Sequence, residues 1–94
     1  MSDADAAISS IRQALDTGRL TINALDDGSG VLLDIDGEQL LTLNATGMHL
    51  VQSIEDGLLD VAGLRDRICE RFEVEATRAE SDARAFVIEV ADAL

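Results

Sequence analysis

The chain has no lysine, tyrosine or tryptophan, one cysteine, one histidine and two phenylalanines, Phe72 and Phe86. Without lysine, all the basic charge rests on seven arginines set against nineteen acids, a formal net charge of -12 at pH 7. The imbalance is shared along the chain, with eight acids against two arginines over Met1 to Gly47 and eleven against five over Met48 to Leu94. No basic patch survives that arithmetic. Nucleic acids and anionic membrane surfaces both draw their non-specific affinity from Lys and Arg on phosphates, so neither is expected as a partner. An acidic surface instead favours encounter with a basic peptide or a basic patch on a larger protein.

A single cysteine cannot close an internal disulfide. The N-terminus has neither a basic n-region nor a continuous apolar h-region, so the expected location is the cytoplasm. No apolar run approaches the roughly 18 to 20 residues needed to span a bilayer.

One histidine and one cysteine also leave no parts for a multi-ligand zinc site, a Ser-His-Asp triad or a Cys-His pair. No cofactor is implied and no enzyme activity is expected. His49, beside Met48, reads as a surface or partly buried structural residue, and Cys69, beside Ile68, as a small core or boundary residue. The run Asp34-Ile35-Asp36-Gly37-Glu38 invites a calcium reading, but an EF-hand loop needs its glycine sixth and here it comes fourth. A hairpin turn accounts for the same residues. Asn44-Ala45-Thr46 matches a glycosylation acceptor that a cytoplasmic chain would not use. Gly28-Ser29-Gly30 lacks the following lysine and helix start of a phosphate loop. The abundant carboxylates read as a solvated surface.

What is present is 47% hydrophobic residues over 94 positions, enough for one domain with one modest core. With so few aromatics, that core must be built from Leu, Ile, Val and Ala, with Phe72 and Phe86 as its expected anchors. Ala7, Ile8, Ile11 and Leu15 fall at helical spacing between Asp3 and Asp16, with Ser2 or Asp3 as cap and Gly18 as stop. Leu20, Ile22 and Ala24 alternate with polar neighbours, which predicts a strand ending at the turn-rich Asp26 to Gly30. Val31 to Ile35 and Glu38 to Leu43 flank Asp36-Gly37, the signal of a two-residue type I′ hairpin.

That turn sets Leu33 opposite Leu40, Val31 opposite Thr42 and Leu32 opposite Leu41. Both faces of the hairpin are then partly apolar, so each side needs a cover. Asn44 caps a predicted helix from Ala45 to Glu55 with Met48, Val51 and Ile54 on one face, and Gly57 ends it. Asp60 caps the next, with Val61, Leu64 and Ile68, or Leu64, Ile68 and Phe72, turned inward. A last helix over about Ala76 to Leu94 carries Ala79, Ala83, Phe86, Val90 and Leu94 as a stripe. One helix, three antiparallel strands and three helices make a small α+β domain.

Four segments carry a further likeness: Val31-Leu32-Leu33-Asp34, Leu41-Thr42-Leu43-Asn44-Ala45-Thr46-Gly47, Arg71-Phe72-Glu73-Val74 and Asp82-Ala83-Arg84-Ala85-Phe86. Over about two thirds of its length the chain resembles the PqqD-like family, including the stand-alone recognition proteins of lasso-peptide clusters. The resemblance implies a winged-helix-like recognition element over residues 19–94, preceded by a helical segment over 1–18. Such an element binds the leader of a ribosomally made precursor and presents it to a modifying enzyme, whether a protease, a radical-type enzyme or another maturase.

In that family the leader adds as a strand beside the third strand, with side chains entering the groove toward the last helix. Carried onto this chain, the strand is Glu38, Gln39, Leu40, Leu41, Thr42 and Leu43, and the helix offers Asp82, Ala85 and Glu89. Main-chain hydrogen bonds would supply affinity and the adjoining pockets specificity. Where the family often has tyrosines in the third strand, this chain has Gln39, Leu40 and Leu41. The N-terminal helix has two roles open to it: covering the second face of the hairpin, or pairing two copies as a homodimer. A docking subunit that binds no leader is the alternative reading. A DNA-binding winged helix is set aside on charge.

Overall fold

Backbone conformation at a few glycines and caps decides where each element stops. The computed structural model describes residues 3–58 and 60–94. Helix α1 runs over Asp3–Asp16 and is ended by Gly18, whose φ of 80° lies in the left-handed region that favours glycine. Ser2, one of the two expected caps, lies outside the described residues. Three antiparallel strands follow, β1 Leu20–Ala24, β2 Gly30–Asp34 and β3 Gln39–Leu43, in the order β1-β2-β3. Then come α2 Ala45–Glu55, α3 Val61–Arg71 and α4 Ala76–Ala93. This is the expected winged-helix-like α+β order.

Asn44 caps α2 by accepting a 2.8 Å hydrogen bond from the Gly47 amide, and Asp60 caps α3 through a 2.7 Å bond from Gly63. One helical turn of α1 is tied to the end of α2 by Arg12, which donates to the Ile54 carbonyl at 3.0 Å.

The strand register is the expected one, with Leu32 paired to Leu41, Leu33 to Leu40 and Val31 to Thr42. The turn is not. A type I′ turn needs positive φ at Asp36 and Gly37, whereas the residue in that region is Glu38, at 53°. The connection is a four-residue loop over 35–38 between the strands. Asp34 explains the difference: its carboxylate accepts from the Gly37 amide at 3.2 Å and from Arg19 Nε at 3.2 Å. That side-chain bond organises the loop in place of a tight two-residue turn.

The core lies between one face of the sheet and the helices. It is formed by Ile8, Ile11, Leu20, Leu32, Leu50, Val51, Ile54, Leu64, Ile68, Ala83 and Val87, all buried. Neither phenylalanine anchors it. Phe72 and Phe86 are half-buried against its margin, and Val87 takes the inward position on α4 that had been expected of Phe86. Phe72 instead meets His49 edge to face, centroids 5.9 Å apart. Cys69 is exposed and not a core residue, its Sγ 3.5 Å from the Val74 carbonyl, because Ile68 takes the inward position beside it.

Helix α1 packs on α4, α2 and β1, and its Ala4, Ile8 and Ile11 join the same core as the rest of the chain. It therefore lies on the helical side of the sheet and not over the outer face of the hairpin. That outer face, bearing Leu33 and Leu40, stays open.

Candidate functional site

Strand β3 is an edge, and the ladder determines which of its groups are free. The Ile35 amide donates to the Arg19 carbonyl at 2.9 Å and the Leu25 amide to the Ser29 carbonyl at 2.8 Å. In an antiparallel ladder, alternate residues direct both backbone groups to the same side. Odd-numbered residues of β2 therefore bond to β1, and Gly30, Leu32 and Asp34 bond to Leu43, Leu41 and Gln39 of β3. This leaves the N–H and C=O of Leu40 and Thr42 directed outward from the sheet.

Beside that edge runs a groove of about 300 Å³ between β3 and α4. Leu41, Thr42, Leu43 and Asn44 form one wall, and Phe86, Glu89, Val90 and Ala93 the other. The volume sits at the small end of ligand cavities. The Phe86 ring reaches across to the first turn of α2: a Cβ on Gly47 would stand 3.0 Å from Phe86 Cε1. Glycine at that position lets the ring lie across the start of α2 and form the end wall of the groove.

At the other end, a side chain of β3 and that of the residue just before β1 reach the end of α4. Gln39 Nε2 donates to the Ala93 carbonyl at 3.2 Å, and Arg19 donates to the Leu94 carbonyl at 2.7 Å. These donors satisfy carbonyls that a helix end leaves without intrahelical partners. Arg19 also pairs with Asp34 at 3.2 Å and Asp36 at 3.8 Å. The Asp34 side chain is only 2% exposed, and its second carboxylate oxygen, Oδ2, has no hydrogen-bond partner. The Gly37 amide, aided by the Arg19 guanidinium, holds the Asp34 carboxyl below the ordinary aspartate range although desolvation opposes this. The node Asp34-Arg19-Leu94 thus ties the hairpin loop to the end of α4.

Of the residues expected from sequence to contact a peptide, Leu41, Thr42, Leu43 and Glu89 share this groove. Glu38 lies in the hairpin loop, Gln39 bridges to α4, and Leu40 turns to the outer face. Asp82 does not join them. It lines a separate hollow of about 550 Å³ with Thr46, Ile68, Val74 and Arg78, and sits 3.7 Å from Arg78. Ala85 is exposed on α4 and lines neither hollow.

The groove also takes Asn44, Phe86 and Val90, which sequence reasoning assigned to a cap and to the core stripe, and Ala93, to which it assigned no role. Their helical spacing was the available signal, since a stripe wider than the core leaves its margin lining a cleft. Among the described residues, no group of three or more His, Cys, Asp or Glu is placed to hold a metal ion, and no helix is long and apolar enough to cross a membrane.

A three-stranded sheet with β3 at an open edge, backed by a helix and grooved between them, defines a small winged-helix-like module. Residues 29–93 match the family described as Coenzyme PQQ synthesis protein D (PqqD), and the chain belongs to that family. Two solved structures are similar. TbiB1 in complex with the TbiA(beta) leader peptide is 26% identical, with a TM-score of 0.71 over 79% of this chain and 84% of that one. A lasso peptide synthetase B1 complexed with its leader peptide is 31% identical, with a TM-score of 0.68 over 79% and 85%. Among curated protein sequences, none matches.

Proposed function

We propose that this chain is a non-catalytic recognition element that binds the leader of a ribosomally synthesised precursor peptide and presents it to a modifying enzyme in the cytoplasm. The observation that carries the reading is the open edge of β3, with free backbone groups at Leu40 and Thr42 directly beside the Leu41–Phe86 groove. A peptide strand pairing with that edge gains main-chain hydrogen bonds, and its alternate side chains enter the groove. Both similar structures hold leader peptides, which supports the same ligand class here.

In this reading Gln39 to Leu43 supply the edge, with Glu38 in the loop at its start, and Leu41, Leu43, Phe86, Val90 and Ala93 receive side chains. Glu89, the one ionisable group lining the groove, favours a basic or hydrogen-bond-donating neighbour on the peptide. Ala85 and Asp82 contact a peptide only where it continues past Phe86 along α4.

The test is an NMR titration of isotope-labelled protein with the leader of a precursor encoded beside its gene. Amide shifts centred on Leu40 and Thr42, with side-chain shifts at Phe86 and Val90, are expected at micromolar peptide or below. A folded domain whose spectrum does not respond would instead favour a docking subunit that binds no leader.

A further inference from the structure

The exposed large hydrophobic side chains among the described residues are Leu25, Leu33, Ile35 and Leu40, at 51%, 36%, 53% and 62% exposure. All four share one face of the sheet. Leu20, Ile22, Leu32, Leu41 and Leu43 face the helices, so Leu25, Leu33, Ile35 and Leu40 belong to the opposite, uncovered face. On that face Ile35, Leu33 and Val31 run down the central strand, and Leu40 stands beside Leu33 as its cross-strand partner. Contiguous apolar surface of this kind marks an interaction site, whereas scattered single residues do not.

The two ends of the strip are acidic. Asp36 and Glu38 flank it at the hairpin loop, and Asp26 and Asp27 at the β1–β2 loop, all exposed. The nearby Arg19 is engaged by Asp34 and Asp36. A second copy of this chain is a poor occupant, because face-to-face pairing in either direction sets acidic ends against acidic ends on chains of net charge -12. The complementary occupant has an apolar centre with Lys or Arg at both ends.

We infer that the outer face of the sheet is the docking surface for the peptide-modifying enzyme, which meets it with an apolar patch bordered by basic residues. The inference rests on the leader-binding reading and extends it. In a strand added to β3, residues opposite Leu41 and Leu43 turn into the groove, and those opposite Leu40 and Thr42 turn onto the outer face. A bound leader therefore adds a fourth column to the surface the enzyme reads. The enzyme touches carrier and peptide together and binds the loaded carrier more tightly than the empty one.

The experiment uses the full chain, the purified maturation enzyme encoded beside its gene and the matching leader peptide. Leu33→Asp and Ile35→Glu are compared with the unaltered chain; the second lies just past the end of β2 with its side chain 53% exposed and guards against a folding defect in the first. Expected are leader affinities within about twofold of the unaltered chain and enzyme affinities at least about tenfold weaker for both variants, by the interface-truncation scale. Enzyme affinity unchanged in both variants would overturn the assignment. So would sedimentation in which the unaltered chain is a dimer that Ile35→Glu disperses, since a second copy would then own the face. If the unaltered chain takes up no leader, the groove reading falls, and the enzyme affinities of the same variants still decide the docking face.

Discussion

Proline at position 42 separates the ladder from the open edge. The Thr42 amide points away from β2, so Thr42→Pro removes no hydrogen bond within the protein, and proline is tolerated in edge strands on that condition. The preceding Leu41 is already extended, as a residue before proline must be. The stability cost is about 1 kcal/mol, from lower β propensity and the pull of φ toward about -65°.

Peptide binding loses more. One N–H···O bond disappears, and the ring Cδ stands where the peptide carbonyl must approach, disturbing the neighbouring bond as well. At about 1 kcal/mol net for each bond, two bonds amount to about 2 kcal/mol, a loss in affinity of about 30-fold. Thr42→Val keeps the amide and should bind like the unaltered chain. Fluorescence anisotropy with a labelled leader reads the affinity and thermal melting reads the fold. A Thr42→Pro variant that melts normally and binds the leader at full affinity would refute pairing at this edge.

Other expectations test the frame around the site. Asn44→Ala loses the α2 cap and should cost about 1 kcal/mol in urea unfolding, while Asn44→Asp should retain most of it. Ile11→Ala, at the fully buried centre of α1, should cost about 2–5 kcal/mol, and a melt unchanged from the parent would show that α1 is not part of the common core. The folded state holds the Asp34 pKa below its unfolded value of about 4, so its contribution is present above that pH and lost as pH falls through the folded pKa. Acid unfolding followed by circular dichroism should therefore be shallower below about pH 4 in Asp34→Asn, which starts from lower stability.

The elements were legible because each is punctuated locally. Asn44 and Asp60 cap as their residue types predict, Gly18 and Gly57 take positive φ, and alternation from Leu20 onward places the strands. The register was legible for a different reason: the hairpin is centred on Asp36-Gly37, and a four-residue loop with that centre keeps the pairing a two-residue turn would give. What escaped was set by tertiary contact. Asp34, read as one member of an acidic turn, is instead the buried acceptor that reshapes the loop, which depends on Arg19, fifteen residues earlier. The groove was half legible, since β3 announced itself as an edge strand. The far wall depends on how α4 is rotated against the sheet. That rotation puts Val87 inward and leaves Phe86, which looked like a core anchor, to line the cleft.

An edge that accepts a foreign strand can also accept another copy of itself, and two β3 edges would pair antiparallel as readily as one edge pairs with a leader. The composition opposes this. Each copy brings a net charge of -12, and Glu38, Asp36 and Glu89 lie close to the edge or its groove. Pairing two edges would bring two chains of that charge into contact, and their repulsion is strongest at low ionic strength, where screening is weak. A neutral or basic leader meets no such repulsion and gains on-rate from the same field. The acidity of the chain thus selects what the edge pairs with, leaving the shape of the groove to select among peptides. Raising the salt from 50 to 500 mM, a conventional working range, should slow leader association with little change in dissociation and should increase self-association measured by sedimentation. Salt-independent association together with a monomer at every salt concentration would remove charge from that role.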